Sequence, residues 1–157
     1  PWDETSIEDF DRLFEINVRG AWVVCTEAAK QMIAEGHAGA IVMISSISAH
    51  VGAPTQVAYC GTKGAISMLA KALGSVLGRH GIRVNAIEPG AVATNMSASL
   101  FDQPEAMKYY LDRIALGRIG KPSELAATVA FMLSEDAAYV TSAALLVDAG
   151  FIVNAEI

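Results

Sequence analysis

Two periods of apolar residues alternate along this chain. The segment TSIEDFDRLFEI opens a helix, with Ser6 and Asp9 three residues apart in the manner of a capping box. A helical pattern resumes after Gly20, runs through AWVVCTEAAKQMIAEG and stops at Gly36. The short apolar run Ala40 to Ile44 reads as a parallel strand buried on both faces. A long helix over Val57 to Arg79 comes next. IRVNAIE, Ile82 to Glu88, is a second strand, ended by the Pro89-Gly90 turn. The stretch from Ala91 to Lys121 is looser, with weak helical pattern around Glu105 to Ile114. Pro122 and Ser123 open another helix, and Ala144 to Asp148 is a third strand. Strands separated by helices predict βαβ units and a Rossmann-like parallel sheet with flanking helices, an α/β fold.

Polar residues gather at one place on that predicted sheet. Ser45 and Ser46 come after the first strand, Pro89-Gly90 after the second, and Asp148-Ala149-Gly150 after the third. Open parallel α/β sheets bind ligands outside the carboxyl ends of their strands. The long helix starts beside the same edge, and there Tyr59 and Lys63 stand one turn apart on one face. Free tyrosine, with a pKa of about 10, is a poor base at neutral pH. A cation one turn away favours the phenolate, which makes the pair a candidate acid/base. The residues alone also allow a core-edge tyrosine beside a lysine that reaches for solvent.

Composition narrows the function classes. The chain has 157 residues, 53% of them hydrophobic and 18% charged, enough for one domain with a real core. The net charge of −6 argues against nucleic acid or an anionic membrane as the main partner. Cys25 and Cys60 have no metal-type spacing and suit a reducing compartment, so a cytoplasmic protein is the expectation. No apolar run reaches membrane-spanning length. GxSxG, Walker A and HExxH signatures are absent.

Four ordered motifs carry a resemblance over essentially the whole chain. Asn17 in EINVRGAW, the serines of IVMISSISA, Tyr59-x-x-x-Lys63 and RVNAIEPGAVAT resemble the short-chain dehydrogenase/reductase family in order and spacing. GRIGKPSELAATVAFMLSEDAAYVTSAALLVDAG is similar to its C-terminal section. A YxxxK pair alone is a weak signal; the combination is specific.

The resemblance implies an NAD- or NADP-dependent oxidoreductase that interconverts an alcohol and a carbonyl. Tyr59 would be the acid/base, and Lys63 would lower its pKa and hold the nicotinamide ribose. Ser46 would bond the reacting oxygen, and Asn17 would hold a proton-passing water. Val92 backbone groups and the Thr94 hydroxyl, after the Pro89-Gly90 turn, would hold the carboxamide and phosphate side of the cofactor. Plainer roles stay open: Ser46 as a loop cap, and Asn17 as a helix breaker.

SSISAHVGAPTQVAYCGTK resembles the aldose 1-dehydrogenase branch, which oxidises sugars such as rhamnose, fucose or glucose to lactones. Ser48 and Gln56 would then meet sugar hydroxyls; otherwise Gln56 caps the helix and Ser48 faces water. Residues 97–117 would be a substrate lid, with Met96 just before it and Leu100, Phe101, Met107, Tyr109 and Tyr110 lining it. A 3-oxoacyl-thioester or generic carbonyl reductase is the alternative substrate class. The family's glycine-rich GxxxGxG turn does not occur here. Residues 1–157 are therefore expected to be a single partial domain, the C-terminal catalytic portion, lacking the N-terminal nucleotide-binding half. A catalytically silent piece needing that half is a third possibility. Ser142 and Ala149 stand where the family usually has glycine, and both small residues are expected to be tolerated. Small residues along the Tyr59–Leu77 helix, with the apolar Ala21–Glu35 helix, suit a homodimer or homotetramer seam; otherwise both helices simply cover the sheet.

Overall fold

A computed structural model describes residues 1–154; the last three positions of the expected 1–157 domain lie outside the described residues. Three parallel strands form the sheet, in the order β1 (Gly39–Ile44), β2 (Ile82–Pro89), β3 (Ala144–Val147). Ile44 pairs with Ile87, and Pro89 with Val147, so the strand ends line up at one edge. The α/β class expected from the periodicity is the one observed. β2 is the central strand, and Ile82, Val84, Asn85, Ala86, Ile87 and Glu88 are all fully buried.

Alternation along the strands divides the core into two clusters. On one face Met43, Val84 and Ala86 pack with Cys25 and Ala29 of α2 (Gly20–Glu35) and with Ile66, Ala70 and Leu77 of α3 (Val57–Leu77). On the other, Val42, Ile87, Leu145 and Val147 pack with Val129 and Met132 of α6 (Pro122–Leu133). The approach of α3 to β2 depends on Gly74. A Cβ there would lie 2.8 Å from the Val84 carbonyl oxygen and 2.5 Å from Ser142 Oγ.

At the start of the chain, α1 (Ile7–Phe14) is capped as the sequence suggests. Ser6 Oγ accepts the Asp9 amide at 3.0 Å and donates to the Asp9 carboxylate at 2.8 Å. The helix does not break at Asn17. A π-helical turn over Glu15–Arg19 carries it directly into α2, and Gly20 is itself helical. The wider π turn absorbs the poor interior residue and aims Asn17 at a partner. Asn17 Nδ2 donates to Thr62 Oγ1 at 3.2 Å.

Two polar side chains of β2 tie the sheet to the segment between α6 and β3. Arg83 donates to the carbonyls of Met132, Ser134 and Val140, and Asn85 bonds Val140 and the Ala143 amide. Ser142 and Ala149 adopt left-handed backbone, with φ of 60° and 54°. Both positions accommodate a side chain, as expected, but at a cost that small size does not remove, because a Cβ is strained in that region.

α4 (Ala98–Phe101) and α5 (Pro104–Arg113) occupy the segment expected to be a lid. Its aromatics are engaged with one another and with the chain's end. Tyr110 stacks on Phe151 at 5.5 Å and meets Phe101 edge-on, while Arg113 lies over the Tyr109 and Phe151 rings. Met96 is exposed.

Candidate active site

The carboxyl ends of β1 and β2 and the first turns of α3 bring the expected residues together. β1 ends at Ile44, and Ser45 continues its pairing by donating its amide to the Ile87 carbonyl at 2.8 Å. Ser46 then starts a 3-10 turn, Ile47–Ala49, with its hydroxyl accepting the Ser48 amide at 3.1 Å. The same hydroxyl donates to Ser48 Oγ at 3.2 Å. Ser46 is therefore a cap, as the plainer reading holds, and also a neighbour of Tyr59, whose ionisation it influences.

Lys63 reaches across from α3 and donates to the Ile44 carbonyl at 3.0 Å. Its ammonium lies 5.4 Å from the centre of the Tyr59 ring. Tyr59, Lys63 and Ser46 thus share one wall at the end of β1. Asn17 stands behind them: its partner Thr62 is buried and donates to the Tyr59 carbonyl oxygen at 2.7 Å.

The electrostatics differ from the expectation in one respect. Burial pushes the Tyr59 phenol above its ordinary value; a hydrogen bond with Ser46 pulls it down, and the neighbouring Cys60 adds a smaller upward push. The net direction is up, opposite to the lowering expected from Lys63. The physical reason is desolvation: half-burial disfavours the phenolate, and the lysine's own charge is directed at a backbone carbonyl. Burial also lowers Lys63 below its ordinary value.

The remaining expected residues are more scattered. Gln56 is the N-cap of α3 but its exposed side chain makes no capping bond. Gly90 has a packing reason for being glycine, since a Cβ would lie 2.7 Å from that of Asp148 at the end of β3. Its neighbour Pro89 is the last residue of β2. Val92 pairs with Gly120 in an isolated bridge, and its carbonyl accepts the Ser97 hydroxyl at 2.7 Å. The Thr94 amide donates to Ser97 Oγ at 2.9 Å, and Thr94 is exposed.

Sequence reasoning missed a polar cluster directly beneath this wall. Glu88 is fully buried, with Oε1 accepting the Ser67 hydroxyl at 2.6 Å and Oε2 lying 2.6 Å from His50 Nε2. Ser67 also contacts Ser45 Oγ at 2.8 Å, and Ser45 donates to the Lys63 carbonyl at 2.8 Å. A signal was available: alternation along IRVNAIE places Glu88 on the same face as Val84 and Ala86, towards α3. An acidic residue there needs buried partners.

The residues present fit the nicotinamide-ribose end of a dinucleotide. A half-buried phenol, a half-buried ammonium and an exposed threonine lie at the carboxyl ends of parallel strands, where such ligands bind. No metal-binding group of His, Cys, Asp or Glu exists among the described residues. No helix among them is long and apolar enough to cross a membrane.

Comparison with known proteins identifies the family of this fold. The family model described as enoyl-(acyl carrier protein) reductase matches residues 1–152. The chain belongs to the short-chain dehydrogenase/reductase family. An L-rhamnose 1-dehydrogenase (NAD(P)(+)) of Sphingomonas sp. (strain SKA58) is 42% identical over 148 residues, covering 94% of this chain and 58% of that protein. A cyclopentanol dehydrogenase of Comamonas sp. (strain NCIMB 9872) is 39% identical, covering 98% of this chain and 61% of that protein. Among solved structures, a gluconate 5-dehydrogenase from Burkholderia cenocepacia J2315, in complex with NADP and tartrate, superposes with a TM-score of 0.94. It is 31% identical and the match covers 99% of this chain and 60% of that one. The chain thus spans about three-fifths of the length of these relatives.

Proposed function

We propose that this chain carries the catalytic wall of an NAD(P)-dependent sugar 1-dehydrogenase, acting on an aldose such as L-rhamnose, fucose or glucose. The observation that carries this reading is the convergence of Ser46, Tyr59 and Lys63 at the end of β1. Likeness to an L-rhamnose 1-dehydrogenase supports the substrate class. Tyr59 and Lys63 would hold the ribose of a nicotinamide cofactor, which when bound would supply the acceptor for the hydride leaving C1 of the sugar. Tyr59, as the phenolate, takes the proton of the C1 hydroxyl and becomes the neutral phenol, so the alcohol becomes a carbonyl with atoms and charge balanced. Ser46 holds that oxygen as charge develops on it. Lys63 keeps the site cationic beside the ribose, and Asn17, through Thr62, fixes the backbone of the turn that carries Tyr59. Val92 and Thr94 would hold the carboxamide side. Ser48 and Gln56 are the polar groups available to further sugar hydroxyls.

Reduction of a less polar carbonyl is the second reading, favoured by the cyclopentanol dehydrogenase likeness and by exposed Met96 and Leu100. Assay of the complete polypeptide, with NAD+ and NADP+ for aldoses and cyclopentanol and with NADH and NADPH for acetoacetyl thioesters, separates the two. Turnover of aldoses well above cyclopentanol or acetoacetyl thioesters is expected; the reverse order selects the second reading. Absence of dinucleotide reduction or oxidation with every substrate removes both.

The exposed apolar residues Trp22, Val23 and Val24 on α2, with Met68 and Val76 on α3, support assembly into a homodimer or homotetramer. Sedimentation of the complete polypeptide tests this; a monomer at working concentration rejects it.

A further inference from the structure

Glu88 is a costly residue in its position. A carboxylate with no solvent exposure costs several kcal/mol unless its oxygens are paired, and apolar residues of similar size often serve such places equally well. Its pairing is therefore informative, because each partner belongs to a different part of the candidate site. Ser67 comes from the middle of α3, four residues past Lys63. Ser67 in turn contacts Ser45, which immediately precedes Ser46 and holds the Lys63 carbonyl. His50 ends the 3-10 turn that begins at Ser46, and its side chain is 39% exposed. One buried carboxylate thus joins the end of β2, the end of β1, the turn after it and the lysine-bearing turn of α3.

We propose that Glu88 and His50 are positioning residues for this site: their 2.6 Å contact, with Ser67 and Ser45, holds the Ser46–Ser48 turn in register with Tyr59 and Lys63. The proposal rests on the functional reading above for its kinetic consequence, but not for its structural one. Without the pair, the turn loses its only tie among the described residues from the His50 side chain to the sheet. A displacement of an ångström at a catalytic group is enough to slow chemistry by about a hundredfold. The Val92 and Thr94 contacts proposed for the dinucleotide lie outside this turn, so its binding is expected to change less than turnover.

The test uses the complete polypeptide and four variants: Glu88→Ala, Glu88→Gln, His50→Ala and His50→Gln. Glu88→Ala and His50→Ala are expected to lower kcat about 10- to 100-fold, with KM for the dinucleotide moving by less than about threefold. Glutamine at either position can still span the contact as donor and acceptor. Glu88→Gln, which also keeps its bond to Ser67, and His50→Gln are therefore expected within about threefold of the parent. The second readout needs no turnover. Hydrogen exchange of the amides of Ser48, Ala49, His50 and Val51, all bonded within the turn, should quicken in both alanine variants and recover in Glu88→Gln. Should Glu88→Ala fail to fold, the half-exposed His50→Ala decides. Parent-like exchange in a folded His50→Ala overturns the proposal, as does faster exchange with undiminished kcat, or a glutamine variant as impaired as the alanine one. A parent that turns over no alcohol or carbonyl removes the functional reading instead, and the exchange comparison still judges the pair.

Discussion

At the scale of single residues, Tyr59 is the point where chemistry and environment pull in different directions. Burial raises the phenol and the Ser46 hydrogen bond lowers it. Alcohol oxidation needs the phenolate, so kcat/KM for oxidation should climb with pH through the neutral and alkaline range, and that for reduction should fall over the same range. Ser46→Ala removes the downward pull and should move that limb to higher pH while slowing turnover; a pH–rate profile with an unmoved limb contradicts the coupling. Tyr59→Phe removes only the titrating oxygen and should abolish turnover with the melting temperature within about 2 °C of the parent. Glu124 offers an independent residue-scale test. Arg118 binds it in a bidentate pair, and the Lys121 amide adds a bond, which lowers its carboxyl from 4.5 to about 2. A depressed acid contributes stability above its unfolded pKa and loses it as pH falls through the folded one. Glu124→Gln should therefore flatten the melting temperature between pH 4.5 and 2, seen by calorimetry, with the effect screened by salt because the pair is exposed.

At the scale of elements, α3 on β2 is the contact that sets the site's depth. Gly74 lets the helix backbone approach the Val84 carbonyl and the Ser142 turn. Gly74→Ala forces α3 outward and should cost about 1–3 kcal/mol in denaturant unfolding. Ala149→Gly is expected to act in the opposite sense. It relieves a left-handed alanine at the end of β3, a gain of about 1 kcal/mol. A loss on that substitution contradicts the strain. The α4–α5 segment belongs to the same scale. Phe101, Tyr109 and Tyr110 look like lid residues in sequence, and here they pack on one another and on Phe151 and Arg113, which ties the segment to the residues after β3.

At the scale of the whole molecule, β1 is an edge: β2 pairs with one side of it, and no strand pairs with the other among the described residues. Its Ile44 is about half exposed. Open parallel edges that are apolar invite another strand. The residues 1–157 also contain no glycine-rich turn to cradle a pyrophosphate at a helix N-terminus. A 157-residue polypeptide of this sequence is accordingly expected to show no NADH or NADPH binding by titration calorimetry at micromolar concentrations. Micromolar affinity would show that the nicotinamide end alone suffices.

Much of this was legible along the chain, because it is encoded in short periods. Strand alternation, helical spacing and the cap at Ser6 act over two to four residues, and so does the Tyr59–Lys63 pair. The parallel sheet and the edge that gathers the site result from their order. What only the tertiary structure decided lies at longer separation. His50 meets Glu88 across 38 residues, Ser67 meets it across 21, and Asn17 meets Thr62 across 45. No local period brings those groups together, and their partners determine whether a buried carboxylate is a burden or a brace. The same holds for the direction of the Tyr59 shift, since desolvation depends on everything packed around the phenol, whereas sequence displays only the lysine one turn away.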